Sequence, residues 1–218
     1  FEFETNNTSS VSFSVAAAGT FYVDWGDGNV EEVVRTSTSA SSISHVYRRS
    51  GRYTVKLGGV ATAYNTDDKL ATIAFSNTSS LTKLSGSLGA IFPTLADGSQ
   101  PSFYGTFSGG YNIYGEIPAD LFTGISGQPR AYMFYQTFYG CNRLSGIGGA
   151  LFAGISGTPA QYMFYQTFYN CSGLTGEIPA NFIGALSGNA ATNMFAYMFA
   201  NCRNLTGNTV RAGGEYLY

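Results

Sequence analysis

One peptide recurs along this chain at nearly fixed intervals, and it restricts the fold more than any other feature. Met133-Phe134-Tyr135-Gln136-Thr137-Phe138-Tyr139-Gly140-Cys141 returns as Met163-Phe164-Tyr165-Gln166-Thr167-Phe168-Tyr169-Asn170-Cys171. A looser copy is Met194-Phe195-Ala196-Tyr197-Met198-Phe199-Ala200-Asn201-Cys202, and Phe103-Tyr104-Gly105-Thr106-Phe107 is a degenerate earlier one. Two further markers keep step: Phe92, Phe122, Phe152 and Phe182, 30 residues apart each time, and Leu144-Ser145-Gly146, Leu174-Thr175-Gly176 and Leu205-Thr206-Gly207. A period of this size means a stack of small units, none of which can bury its apolar sides alone. The chain from about residue 72 to 207 is therefore expected to form a short solenoid.

Within each unit, Ser126-Gly127-Gln128-Pro129 and Ser156-Gly157-Thr158-Pro159 look like helix starts, with proline just inside the first turn. Met133, Phe134, Thr137, Phe138 and Cys141 then fall at i, i+1, i+4, i+5 and i+8, one face of a short helix. The Cys-x-x-Leu-Ser/Thr-Gly stretch after it suits a short strand, which Pro118 and Pro179 would end. Equivalent phenylalanines should line up as buried ladders, one through Phe92, Phe122, Phe152 and Phe182, the other through Phe107, Phe138, Phe168 and Phe199.

Upstream the period changes to two. Phe1 to Thr5 and Val11 to Val15 alternate apolar and polar residues, as strands do. Thr20 to Trp25 runs into Gly26-Asp27-Gly28-Asn29, a tight-turn signal, and Val30 to Val34 would return as the partner strand. His45-Val46-Tyr47 and Tyr53 to Leu57 flank a second turn at Ser50-Gly51. Fourteen charged residues lie in 1–70 and ten in 71–218, which suggests a boundary near residue 70.

Two resemblances follow from these motifs. Trp25-Gly26-Asp27-Gly28, His45-x-Tyr47 and Gly51-x-Tyr53-Thr54-Val55 resemble the signature of PKD-type domains, small Ig-like β-sandwiches of extracellular proteins. Met194-Phe195-Ala196-Tyr197-Met198-Phe199-Ala200-Asn201-Cys202-x-x-Leu205-Thr206 resembles the BspA-type leucine-rich repeat of bacterial surface proteins. Together they imply two modules. Residues 1–68 would be an all-β, PKD-like sandwich; residues 69–218 would be a leucine-rich-repeat solenoid with one short strand and one short helix per roughly thirty-residue repeat. They also imply an extracellular or cell-surface setting, bacterial, with a role in adhesion or interaction.

The composition bears on function chiefly by exclusion. Only 11% of residues are charged and the net charge is −2, so nothing attracts nucleic acid or anionic lipid. No apolar run reaches the roughly 18 residues that span a bilayer. The chain starts at Phe1 rather than Met, as expected of a trimmed product. Cys141, Cys171 and Cys202 occupy one repeat position, which reads as stacked buried thiols acting as small hydrophobes. His45 is the single histidine, and Asp24 and Asp27 are few for calcium, so no metal, cofactor or catalytic group is expected.

What remains is surface. With Met133, Phe134 and Phe138 inward, Tyr135 and Tyr139 point outward; Tyr165 and Tyr169 repeat them and Tyr104 begins the row. These five form a candidate contact face for a protein or glycan ligand, partial burial against the next helix being the other reading. The ends offer a second possibility. Unpaired strands there, with Phe1 and Phe3 at one end and Tyr216 and Tyr218 at the other, would let copies of the chain join head to tail into an extracellular filament or sheath.

Overall fold

Alternating side chains build the first third of the chain. The computed structural model describes residues 1–206. Six strands follow one another: β1 (Glu2–Thr5), β2 (Thr8–Val15), β3 (Ala17–Asp24), β4 (Val30–Arg35), β5 (Ser41–Gly51) and β6 (Thr54–Tyr64). In β2, Val11, Phe13 and Val15 are buried while the serines between them are not; in β3, Phe21 and Val23 are buried and Tyr22 is exposed. The turn at residues 26–29 joins β3 to its antiparallel neighbour β4, as the Gly26-Asp27-Gly28-Asn29 motif predicts.

The expected boundary at residue 68 is not a break. β7 (Ile73–Phe75) and β8 (Leu81–Ser85) lie beyond it and complete both sheets. One sheet has the order β4-β3-β6-β1-β8, the other β5-β2-β7. Their inner faces meet through Phe3, Phe13, Phe75 and Trp25, with Phe3 and Phe75 ring centroids 5.1 Å apart. One hydrophobic core continues from Phe3 to Cys202.

The repeats stack, but not as a leucine-rich-repeat solenoid with a helix in each unit. Among the described residues the single helical element is a three-residue 3-10 turn, Thr78–Ser80. The segments expected to be helices are ribbons of turns. Tyr135, Thr137, Tyr139 and Cys141 donate their N–H groups to carbonyls three residues back, closing successive tight turns. The N–H groups between them leave the ribbon: Phe134, Gln136, Phe138 and Gly140 donate to Met163, Tyr165, Thr167 and Tyr169 of the next unit. A backbone that shares its donors this way cannot be helical. Its left-handed residues confirm it, with φ of 58° at Tyr132, 52° at Gln136 and 74° at Gly140.

The apolar pattern deceives because its true period is four residues, not 3.6. Over two turns the two periods place the same side chains on one face. Four layers result, at residues 102–110, 132–141, 162–171 and 193–202, bonded in parallel register. The expected strand per repeat is regular only as β9 (Tyr114–Ile117) and β10 (Arg143–Ile147), a parallel pair; β9 ends just before Pro118. Later units keep isolated parallel bridges such as Gly176 to Leu205. Layers approach closely at Gly154 and Gly184, where a Cβ would run into the carbonyls of Ile125 and Ile155.

Phenylalanine ladders fill the interior. Phe107, Phe138, Phe168 and Phe199 stack in sequence at 5.2–5.4 Å, within 16° of parallel. Phe122 stacks on Phe152, and Phe152 meets Phe182 edge-on. Phe92 leaves its ladder and packs on Phe21 of the five-stranded sheet. β7 joins the two architectures: it is the outer strand of the three-stranded sheet, its neighbour Thr72 donates to Ser102 of the first layer, and Phe75 stacks on Phe107.

Candidate functional site

The four-residue period decides what each layer shows to solvent. Two residues in four turn inward, and the next two turn out. Tyr135 and Gln136, then Tyr139 and Gly140, therefore share the outer surface of one layer, and Tyr165, Gln166, Tyr169 and Asn170 that of the next. Parallel register sets equivalent side chains directly above one another.

Three tyrosine rows result. Tyr104, Tyr135 and Tyr165 stack at 4.7 and 5.0 Å, within 11° of parallel. Tyr139 stacks on Tyr169 at 5.0 Å and 5°. A third row, Tyr132 on Tyr162 at 5.0 Å, lies beside the first, and Lys69 caps it with its ammonium 5.1 Å from the Tyr132 ring. Between the rows the Gln136 amide donates to Gln166 at 2.6 Å, and Asn201 donates to Asn170 at 2.7 Å. The stripe carries no charged residue in 131–142 or 160–176. Each row stops at the last layer, where Asn193, Ala196 and Ala200 replace tyrosine; Tyr197 closes the middle row edge-on and is exposed.

All five tyrosines expected on the outer face lie on it, half-buried by one another rather than by a neighbouring helix. Burial, then its tyrosine neighbours, raises the pKa of Tyr135. Because the rings stack, they hide their faces and present edges and hydroxyls. Tyr132, Tyr162, Gln136 and Gln166 belong to the same surface and were missed; the 30-residue spacing of Tyr132 and Tyr162 was the available signal.

A cleft of about 420 Å³ opens near the foot of the stripe, where the loop after β6 meets the first layers. Arg130 spans it, donating to Asp68 at 3.0 Å and to the Asn65 carbonyl at 2.9 Å. Gln100, Gln128 and Thr66 line the remainder.

The other candidates fall elsewhere. Phe1 and Phe3 are not at an open end: β1 lies between β6 and β8, Phe3 is buried, and the Phe1 ammonium donates to Leu57. Tyr216 and Tyr218 lie outside the described residues. His45 donates to Asp27 at 2.8 Å and stacks on Trp25. That hydrogen bond is the main reason the Asp27 pKa falls to about 2. Asp24 and Asp27 both accept backbone N–H groups within the turn, so their carboxylates shape it.

The three cysteines are free and buried in the core, as expected, and each thiol also makes a hydrogen bond. Cys141, Cys171 and Cys202 donate to Phe107, Phe138 and Phe168 carbonyls of the preceding layer at 2.9–3.2 Å. Thr137 and Thr167 do the same for Phe103 and Phe134. Burial holds the thiols protonated, with Cys141 pushed up to about 12 and Cys202 to about 11.

No protein-family model, curated protein or solved structure matches the chain. The BspA-type resemblance, with its leucine-rich-repeat solenoid, is overturned by the helix-free turn ribbons, and the PKD-type resemblance is left without a matching family. No helix among the described residues is long and apolar enough to cross a membrane, which says nothing of strands.

Proposed function

We propose that this chain is a non-enzymatic extracellular surface module, adhesin-like, that binds a protein or glycan through its tyrosine face. The observation that carries this reading is the set of parallel tyrosine rows, interleaved with amide rows and free of charge over two layers. Tyrosine offers large amphipathic contact area with few rotatable bonds. Stacking removes most of the remaining side-chain freedom, so little is lost on binding. Hidden ring faces favour a protein partner, which can meet a row of edges and hydroxyls, over sugars that stack on ring faces. The test is binding to arrays of matrix proteins and glycans, wild type beside Tyr135→Ser/Tyr165→Ser. Loss of the bound partners in a folded variant is expected; identical binding profiles would remove the face from consideration.

A second reading, self-assembly into an extracellular filament, draws on one observation. The N–H groups of Phe195, Tyr197, Phe199 and Asn201 repeat the outgoing donors of earlier layers and meet no acceptor among the described residues. The first layer is covered by β7, so the acceptor would be an outer strand, β4 or β5, of another copy. Negative-stain microscopy over a concentration series tests it: fibres are required, and monomers throughout reject it.

A further inference from the structure

We propose that the tyrosine rows are a site of oxidative cross-linking, in which a peroxidase using hydrogen peroxide joins tyrosines of adjacent layers as dityrosine. Three features of the molecule combine to support it.

The first is ring geometry. Tyr104–Tyr135, Tyr135–Tyr165, Tyr132–Tyr162 and Tyr139–Tyr169 are each parallel within 11° and 4.7–5.0 Å apart. A radical formed on one ring therefore lies against a second phenol. The second is access: all seven rings are part-exposed on one face. The third is the burial of the competing groups. The three thiols are inside the stack and held protonated, Met133, Met163, Met194 and Met198 are buried, and Trp25 is buried between the sheets. Thiolate character and exposure govern cysteine oxidation, so these cysteines do not divert the oxidant.

The chemistry balances. Each phenol gives one electron and one proton to the peroxidase, leaving two tyrosyl radicals. These form a carbon–carbon bond between ring positions adjacent to the hydroxyls. The hydrogen on each joined carbon then leaves as a proton while the oxygen regains one, restoring both phenols. The two electrons and two protons released reduce one hydrogen peroxide to two waters. The bonds would tie together the layers at 102–110, 132–141 and 162–171. The last layer stays outside the parallel rows: Asn193, Ala196 and Ala200 stand where the rows end, and Tyr197 meets Tyr165 edge-on at 6.0 Å.

Dilute protein treated with a haem peroxidase and hydrogen peroxide tests the assignment. The expected product is a monomeric chain on a denaturing gel, with blue dityrosine fluorescence and a mass lower by two hydrogens per bond. Peptide mapping should join Tyr139 to Tyr169, Tyr132 to Tyr162, and Tyr135 to Tyr104 or Tyr165. Tyr139→Phe should remove the first bond alone. Tyr22, Tyr111 and Tyr114 are exposed without a parallel tyrosine partner among the described residues and serve as internal controls. Coupling that maps to those three, that links only separate molecules, or that fails to form while phenols are consumed overturns the proposal.

Discussion

Replacing Gly140 with alanine distinguishes the turn ribbon from a helix by the sign of its effect. Gly140 sits at φ 74°, and its N–H donates to Tyr169 at 2.8 Å. A Cβ added there finds nothing nearer than Gly109 Cα at 4.0 Å, so no clash complicates the reading. The remaining cost is conformational: an alanine held in the left-handed region loses about 1–2 kcal/mol. Reduced freedom of the unfolded chain returns about 0.4–1 kcal/mol. The net expectation is a loss of about 1 kcal/mol, or roughly 2–4 °C in Tm for a chain of this size. In a helix the same change would add about 0.8–1 kcal/mol. Equilibrium urea unfolding followed by circular dichroism measures the difference. Gly140→Asn is the companion variant, because Asn170 and Asn201 occupy the same position in the next layers at φ 61° and 65°; it should lose less than half as much. A stabilised Gly140→Ala, with asparagine the worse substitute, would refute the turn geometry.

Phe138→Ala should cost about 3–5 kcal/mol in the same unfolding assay, because it opens a cavity in the middle of a ladder stacked on both faces. The depressed pKa of Asp27 makes its contribution to stability complete above the ordinary value of 3.8 and lost as pH falls through about 2. Asp27→Asn should therefore lie below wild type at neutral pH and converge with it near the acid end of that window, which urea midpoints across pH will show. The buried thiols should resist iodoacetamide at pH 8 in the native protein and all three should react once it is denatured, as read by intact mass.

Much of this architecture was legible because the repeats are regular. The recurrence of Phe107, Phe138, Phe168 and Phe199 every 30 or 31 residues required equivalent rings to meet, whichever backbone carried them. The outward tyrosines followed from the same alternation of inward and outward pairs. The backbone itself was misread, since i, i+1, i+4, i+5 and i+8 fit 3.6 and 4.0 residues per turn equally well over so short a run. The discriminating signal was polar rather than apolar: Gly105, Gly109, Gly140, Asn170 and Asn201 recur every fourth residue or at matching positions, and these types tolerate positive φ. Tyr132, Tyr162 and Tyr197 adopt it too, where no local preference foretells it. Strand sharing across residue 68 was hidden for another reason: β7 and β8 pair with β2 and β1 at long sequence separation, and nothing in a three-residue strand announces its partner.

Bonding between equivalent residues makes the length of the stack adjustable. A cut after Met133 and another after Met163 fall at the same point of successive layers, so deleting residues 134–163 rejoins a ribbon whose outgoing donors face the matching acceptors of the next layer: Tyr132, which donates to Gln161, would meet Thr192, as Tyr162 does. Each layer removed or duplicated would change the stack by one strand spacing, roughly 4.8 Å. Selection or an engineer can thus set the span of this protein in whole steps, without designing a new core or disturbing the sheets that begin it.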